Sequence, residues 1–337
     1  MNKTGKALFI LALLLVFVTT ACQPAPAATS APAAANQPAA TAKHKVAVLF
    51  PGVVTDQSWN QWGYEGLTKA KQDCGVDIAY SENVSQDAQI ETFRNYASQG
   101  YDIIIGHGGE YSDSAMTVAK QYPNIKFVIT NGITAGGNVS ALKISYRQMG
   151  YLAGALAAYM TKTNYIGMVV GEQIAISNEG FEGYQQGSQY VAKQLGKEIK
   201  TKLVSTGDWA DVDKAHEAGL ALISEGIDVL FHVLDTADAG LLAAAQDKGV
   251  YAIGLYRDSS NLAPKAVIGS SLGSPTTQIY VTACGQQKFL SGQALAMDVN
   301  VPDGIGIKMT SLTPPDVQQK VNDILAKMKS GEIQVTP

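Results

Sequence analysis

Lys45-Val-Ala-Val-Leu-Phe50 carries a continuous apolar run that stops at Pro51-Gly52. A strand without polar alternation is buried on both faces, which calls for a parallel sheet covered by helices. The next signal is helical. Ser58-Trp-Asn-Gln61 has the S-x-x-Q spacing of a capping box and predicts a helix from Trp59 to about residue 73. Strand and helix then keep alternating: strand Val76–Tyr80, helix 86–99 ending at Gly100, strand Asp102–Ile105, helix 111–121 before Pro123, strand Lys126–Thr130. Alternation at this spacing predicts an α/β fold with a doubly wound parallel sheet.

The pattern restarts after a long Ala/Gly-rich helix at about 147–161. Strands are expected at 166–170, 199–204, 228–232 and 250–254, with helices at about 179–195, 212–225 and 237–248. Further segments follow: Val267–Ser271, a helix near 275–291, Ile305–Ser311 and a last helix at 315–329. The reading is two similar lobes with the chain crossing between them more than once. The first lobe is placed at 44–147 plus about 257–295, the second at about 148–256 plus about 296–337. No short repeat is evident, which argues against a solenoid.

The N-terminus speaks to compartment. Met-Asn-Lys-Thr-Gly-Lys precedes an apolar run, Ala7–Val18, and then Thr19-Thr-Ala-Cys22. A positive start, an apolar middle and small residues before a cut site predict a signal peptide over 1–21. The run is short of the roughly 20 residues a bilayer core requires. Cys22 after small residues resembles a bacterial lipobox, with Thr19 where leucine is usual, and marks Cys22 for lipid attachment. Residues 22–43 are mostly Ala, Pro, Thr, Ser and Gln, a composition that buries no core and reads as a tether. The expected location is the outer face of the cell membrane.

The whole chain has 337 residues, 46% hydrophobic and 16% charged, which excludes wholesale disorder. Its net charge of −4 becomes −6 once Lys3 and Lys6 leave with the signal peptide. That acidity argues against nucleic acid as a partner. Cys22, Cys74, Cys284 and four scattered histidines offer no metal-ligand spacing, so no metal and no cofactor are expected. Cys74 and Cys284 are free to pair in an oxidising compartment or to sit apart as buried thiols.

Ligands of open parallel sheets collect at the carboxyl ends of strands. There the sequence puts Asp56, Ser58, Trp59 and Asn60; Glu110 and Tyr111 after Gly106-His-Gly-Gly109; Trp209; His232 and Asp235; and Asp258. Rings stack on a flat ligand and carboxylates accept its N–H and O–H groups. Several of these residues also have plain structural readings, as helix caps, turn residues or core. The glycine run is not G-x-G-x-x-G and lacks a P-loop lysine. No G-x-S-x-G, H-E-x-x-H or Cys/His nucleophile pattern is present, so an enzyme is not expected.

Asp56-Gln-Ser-Trp-Asn60 with Tyr64-Glu-Gly66 resembles the D-x-S-[FW]-N…G motif of the basic membrane protein family. That family comprises purine-nucleoside-binding lipoproteins of bacterial ABC importers. Ala119-Lys-Gln-Tyr-Pro123, Gly150-Tyr-Leu-Ala-Gly154, Ile166-Gly-Met-Val-Val-Gly171, Phe181-Glu-Gly-Tyr-Gln-Gln-Gly187 and Ala252-Ile-Gly254 are similar to other family segments. The resemblance covers nearly all of 45–330. It implies a type I periplasmic-binding fold with three crossovers, a small-molecule ligand between the lobes, a permease and an ATPase as partners, and a monomer. It implies that Asp56, Ser58, Trp59 and Asn60 form the first-lobe wall, and that Asp258 holds a ribose or base edge. Tyr256 stands where the family usually has an acid, and Gly273 where nucleoside binders carry a lysine. Trp209 and the His232/Asp235 region look more like the branch that binds a free nucleobase. A flavin-like ligand and a sensor role remain the alternatives.

Overall fold

The computed structural model describes residues 44–336. The signal peptide, Cys22 and the tether therefore lie outside the described residues. Two six-stranded sheets carry the fold. In the first the order is β11(Ala294–Met297), β5(Val139–Ile144), β4(Lys126–Thr130), β3(Ile103–His107), β1(Lys45–Leu49), β2(Asp77–Ser81). In the second it is β12(Gly306–Met309), β10(Val267–Leu272), β9(Tyr251–Tyr256), β8(Val229–Val233), β6(Tyr165–Val170), β7(Lys200–Ser205). All pairings are parallel except β12 with β10. In both sheets the first two strands of the unit are side by side, and the third pairs with the first on its other side. Such a sheet has its topological switch, and so its crevice, at the carboxyl end of the first strand. This is the doubly wound two-lobe architecture of a type I periplasmic-binding fold.

The helices are α1(Trp59–Cys74), α2(Gln89–Ser98), α3(Ser112–Ala119), α4(Tyr146–Met160), α5(Ala175–Leu195), α6(Val212–Ser224), α7(Asp238–Lys248), α8(Pro275–Ala283) and α9(Pro315–Ser330). Central strands such as β1, β3, β6 and β8 are almost wholly buried, as their unbroken apolar runs require.

Three differences from the sequence reading have local causes. The capping box does not form: the Ser58 side chain caps nothing. Asp56 instead accepts from the backbone N–H groups of Ser58, Asn60 and Gln61 (2.9, 3.1 and 2.9 Å), so one carboxylate serves three orphan donors at once. The Gln61 side chain reaches back to the Gln57 N–H rather than to Ser58. β5 and β11 are not expected from the sequence; pairing with each other and, for β5, with β4 builds them into the first sheet. The return to the first lobe also comes later than residue 257. β10 is hydrogen-bonded to β9 in the second sheet, the chain re-enters the first layer at α8, and β11 carries that segment past residue 295.

α4 and α5 pack backbone against backbone. A Cβ on Gly150, Gly154, Gly183 or Gly187 would collide with a carbonyl of the opposite helix, which is why glycines recur there. The contact fixes the N-termini of both helices at the edge of the cleft. α1 and α8 are tied by a Cys74–Cys284 disulfide with Cα atoms 5.6 Å apart.

Candidate ligand-binding cleft

A cavity of about 370 Å3 opens where the carboxyl ends of the two sheets face each other. Trp59, Gly108, Gly109, Glu110 and Asn131 line it from the first lobe, and Tyr146, Ile174, Ile176, Trp209, Asp235 and Tyr256 from the second. Its size is within the range of small-molecule sites.

Trp59 is held as a platform. Its ring stacks on His107 at 4.4 Å with an interplanar angle of 12°. Its Nε1–H donates to the His107 carbonyl (3.3 Å), while His107 Nε2 pairs with the Trp59 carbonyl (2.9 Å) and Nδ1 with Thr130 Oγ1 (3.0 Å). Burial pushes the His107 imidazole down to about 4, against the upward pull of the Trp59 carbonyl, so the ring is neutral at pH 7. One face of the indole is covered by His107 and the residue still lines the cavity.

Trp209 is the counterpart from the second lobe. Its ring lies flat against Gly171, where a Cβ would collide with it. Its carbonyl accepts from the Asp235 N–H (3.0 Å) and the Ala237 N–H (3.3 Å), so the residue that offers a ring also sets the turn bearing Asp235. Burial, and secondarily the Asp56 charge across the cleft, push the Asp235 carboxyl up to about 6. The nearby buried Ser58 hydroxyl pulls it partly back. Asp56 goes the other way: burial raises it, but the backbone donors of Gln61, Ser58 and Asn60 outweigh that and hold it below the usual range. Glu110, at the mouth, is raised by loss of hydration. Both carboxylates that line the cavity are without an ion-pair partner among the described residues.

Of the residues expected from sequence, Trp59, Glu110, Trp209 and Asp235 come together here. Asp56, Ser58 and Asn60 stand behind them. Asn60 Nδ2 donates to Asp56 (2.7 Å), and its Oδ1 accepts from the Gly52 N–H (3.2 Å). Three further residues, Tyr111, His232 and Asp258, neither line the cavity nor back its wall. Tyr111 is wholly buried against Phe93 in the core of the first lobe. His232 is buried within β8, with both ring nitrogens unpartnered, and burial pushes it down to about 3. Asp258 pairs with Lys308 (2.7 Å) and caps the Ser260 N–H, which hold it down at about 2.

The sequence reading missed Asn131, Tyr146, Ile174 and Ile176 as wall residues, and it left Tyr256, which ends β9, out of the site. Asn131 and Ile174 follow the carboxyl ends of β4 and β6, so the rule that found the others covers them too. Tyr146 begins α4 directly after a crossover; its position depends on the hinge. Tyr256 and Asn131 have left-handed backbones (φ 64° and 51°), tolerated by asparagine but costly for tyrosine. Tyr256 hydroxyl bonds that of Tyr146 (2.8 Å), which accepts from Asn131 Nδ2 (3.4 Å).

Two α/β lobes, a cleft at their carboxyl edges and an aromatic, acceptor-rich wall from each side define a ligand-binding protein of the periplasmic type. The chain belongs to the Bmp family, the PnrA-like ABC transporter substrate-binding proteins, whose family model matches residues 43–337. It is similar to the transcriptional activator protein Med of Bacillus subtilis, with 28% identity over 295 residues that cover 86% of this chain and 90% of the other. A purine-binding protein of Brucella abortus is 25% identical over 301 residues, covering 87% and 83%. The crystal structure of a transcriptional activator of the comK gene from Bacillus halodurans superposes with a TM-score of 0.76 at 25% identity, covering 87% and 100%.

Proposed function

We propose that this protein captures a flat heteroaromatic molecule, a purine base or nucleoside, outside the cytoplasm and hands it to the permease and ATPase of an ABC importer. The observation that carries the reading is the pair Trp59 and Trp209, which face one cavity from opposite lobes with Asp235 and Glu110 as acceptors. Aromatic stacking suits any flat ring, and carboxylates select ring N–H, amino or hydroxyl donors. No lysine or arginine lines the cavity among the described residues, which disfavours a phosphate. The purine-binding relative supports the same ligand class.

Calorimetry with adenine, guanosine, riboflavin and AMP tests this. Adenine or guanosine should bind at micromolar affinity or better and AMP weakly. Trp59→Ala and Trp209→Ala should each cost about 1–3 kcal/mol, the range for stacking a base. Tight AMP binding, or wild-type affinity in both variants, overturns the site. Riboflavin as the tightest ligand would move the reading to the larger flavin-type ring.

The similarity to Med supports a second reading, a regulatory lipoprotein using the same cleft. Stimulation of the importer's ATPase by loaded protein favours import; intact ligand binding without stimulation favours regulation. In either role the proposal has the chain as a monomer held by a lipid at Cys22. Cys22→Ser should release it from the membrane fraction, and unchanged fractionation with that variant and with globomycin would refute the anchor.

A further inference from the structure

Trp62 belongs to α1 of the first lobe, one turn beyond the ligand-facing Trp59, yet its indole is buried in the hydrophobic core of the second lobe. Two consecutive residues of the second lobe meet it. The Tyr256 ring lies 5.4 Å away, and the Arg257 guanidinium sits over the indole at 5.0 Å. Consecutive side chains of an extended strand point to opposite faces. Here the left-handed Tyr256 (φ 64°) and a tight Arg257 N–H to Leu255 carbonyl bond (2.7 Å) break that alternation at the end of β9. A strained non-glycine residue persists only where its surroundings hold it, and such strain gathers at clamps and switches.

We propose that Trp62, Tyr256 and Arg257 form an interlobe latch that sets how readily the cleft opens. Tyr256 belongs to both structures: it lines the cavity and packs on the latch indole. A molecule seated against Tyr256 stabilises the ring that Trp62 needs, and the engaged latch in turn slows its escape. Arg257 and Trp62 do not line the cavity; they are positioning residues that act through Tyr256. Burial pushes the carboxyl of Asp238, at the start of α7, up to about 6, and the Arg257 charge opposes that rise from within the second lobe. The inference rests on the two-lobed clamp of the proposed function but not on which molecule fills it.

The test uses the ligand-free chain with Cys22→Ser, nitroxide-labelled at Val53→Cys and Val212→Cys, exposed positions on opposite lobes. Pulsed electron resonance gives the interlobe distance distribution. A cation over an aromatic ring is worth about a two- to five-fold change in the equilibrium. Arg257→Gln should lower the closed-to-open ratio by about that factor, and Trp62→Ala by more. Arg257→Lys and Trp62→Phe should restore most of it. Distributions unchanged in both disruptive variants, or as open in the conservative pair as in the disruptive pair, overturn the latch. If Trp62→Ala does not fold, Arg257→Gln, an exposed substitution, decides alone. Adenine serves as the bound probe. Its dissociation should accelerate by the same factors, with association within about twofold of wild type. If adenine fails to bind even the wild type, the purine reading falls while the ligand-free distances still decide the latch.

Discussion

Asp235 is a carboxyl that the fold makes expensive. Its folded pKa of about 6 lies above the unfolded value near 3.9, so the folded state takes up a proton between those values. Through this group stability falls as pH rises from about 4 to about 6, and the full penalty stands at pH 7. Asp235→Asn should therefore raise the melting temperature at pH 7, by the equivalent of about 1–3 kcal/mol, and the gain should vanish near pH 4. The same variant should weaken adenine binding, because it exchanges a charged acceptor for a neutral amide; a stabilised variant that binds adenine as before would remove Asp235 from the site. Asp258 is the opposite case. Its pKa of about 2 means its contribution is present above about 3.9 and lost as pH falls through 2, and the exposed pair with Lys308 makes that contribution small. Asp258→Asn should leave ligand affinity within about twofold by calorimetry, the reverse of what its place after a strand suggests.

At the scale of elements, two contacts hold the cleft edge. The glycine faces of α4 and α5 let the backbones touch, and Gly183 sits where any Cβ would run into the Arg147 carbonyl. Gly183→Ala should cost about 1–3 kcal/mol as overpacking, measured by denaturant melts, and should weaken binding as well, because Ile174, Ile176 and Tyr146 move with those helices. The Cys74–Cys284 disulfide joins α1, which carries Trp59 and Trp62, to α8, which returns from the second lobe. The bonded residues are 210 apart in sequence, so the bridge removes a large closed loop from the unfolded chain's freedom. Cys74→Ser with Cys284→Ser should lower stability by about 2–5 kcal/mol. An unchanged melt under reducing and oxidising conditions would show that the bridge carries no weight.

At the scale of the whole molecule, three segments cross between the layers: residues 144–146, 272–275 and 297–306. Lobes joined this way move as rigid bodies about a hinge of a few residues. Saturating adenine should lower the radius of gyration in small-angle scattering, and Trp62→Ala should enlarge that difference by opening the free form. An identical profile at proven saturation would argue against a clamp. Lys143 of β5 also pairs with Glu179 of α5 (2.8 Å), a polar contact between the layers to one side of the cavity.

Much of this was written in the chain. Unbroken apolar runs such as Val46–Phe50 fit strands covered on both faces, and their alternation with helical segments points to a parallel sheet. The carboxyl ends of those strands then point to Trp59, Glu110, Trp209 and Asp235. The sequence could not say which way each side chain turns once it has left its strand. Tyr111 and Asp258 follow strands as faithfully as Trp59 does, yet one turns into the core and the other to Lys308. It could not mark β5 or β11, which are strands because of their neighbours, and it placed the return to the first lobe before β10, which the packed chain pairs with β9 in the second sheet. Tyr146, Tyr256 and Trp62 acquire their roles only when two lobes meet. Local patterning fixes elements because hydrogen bonding and burial act along a few residues, whereas a cleft wall is made by groups more than a hundred residues apart, and only the packed chain brings those together.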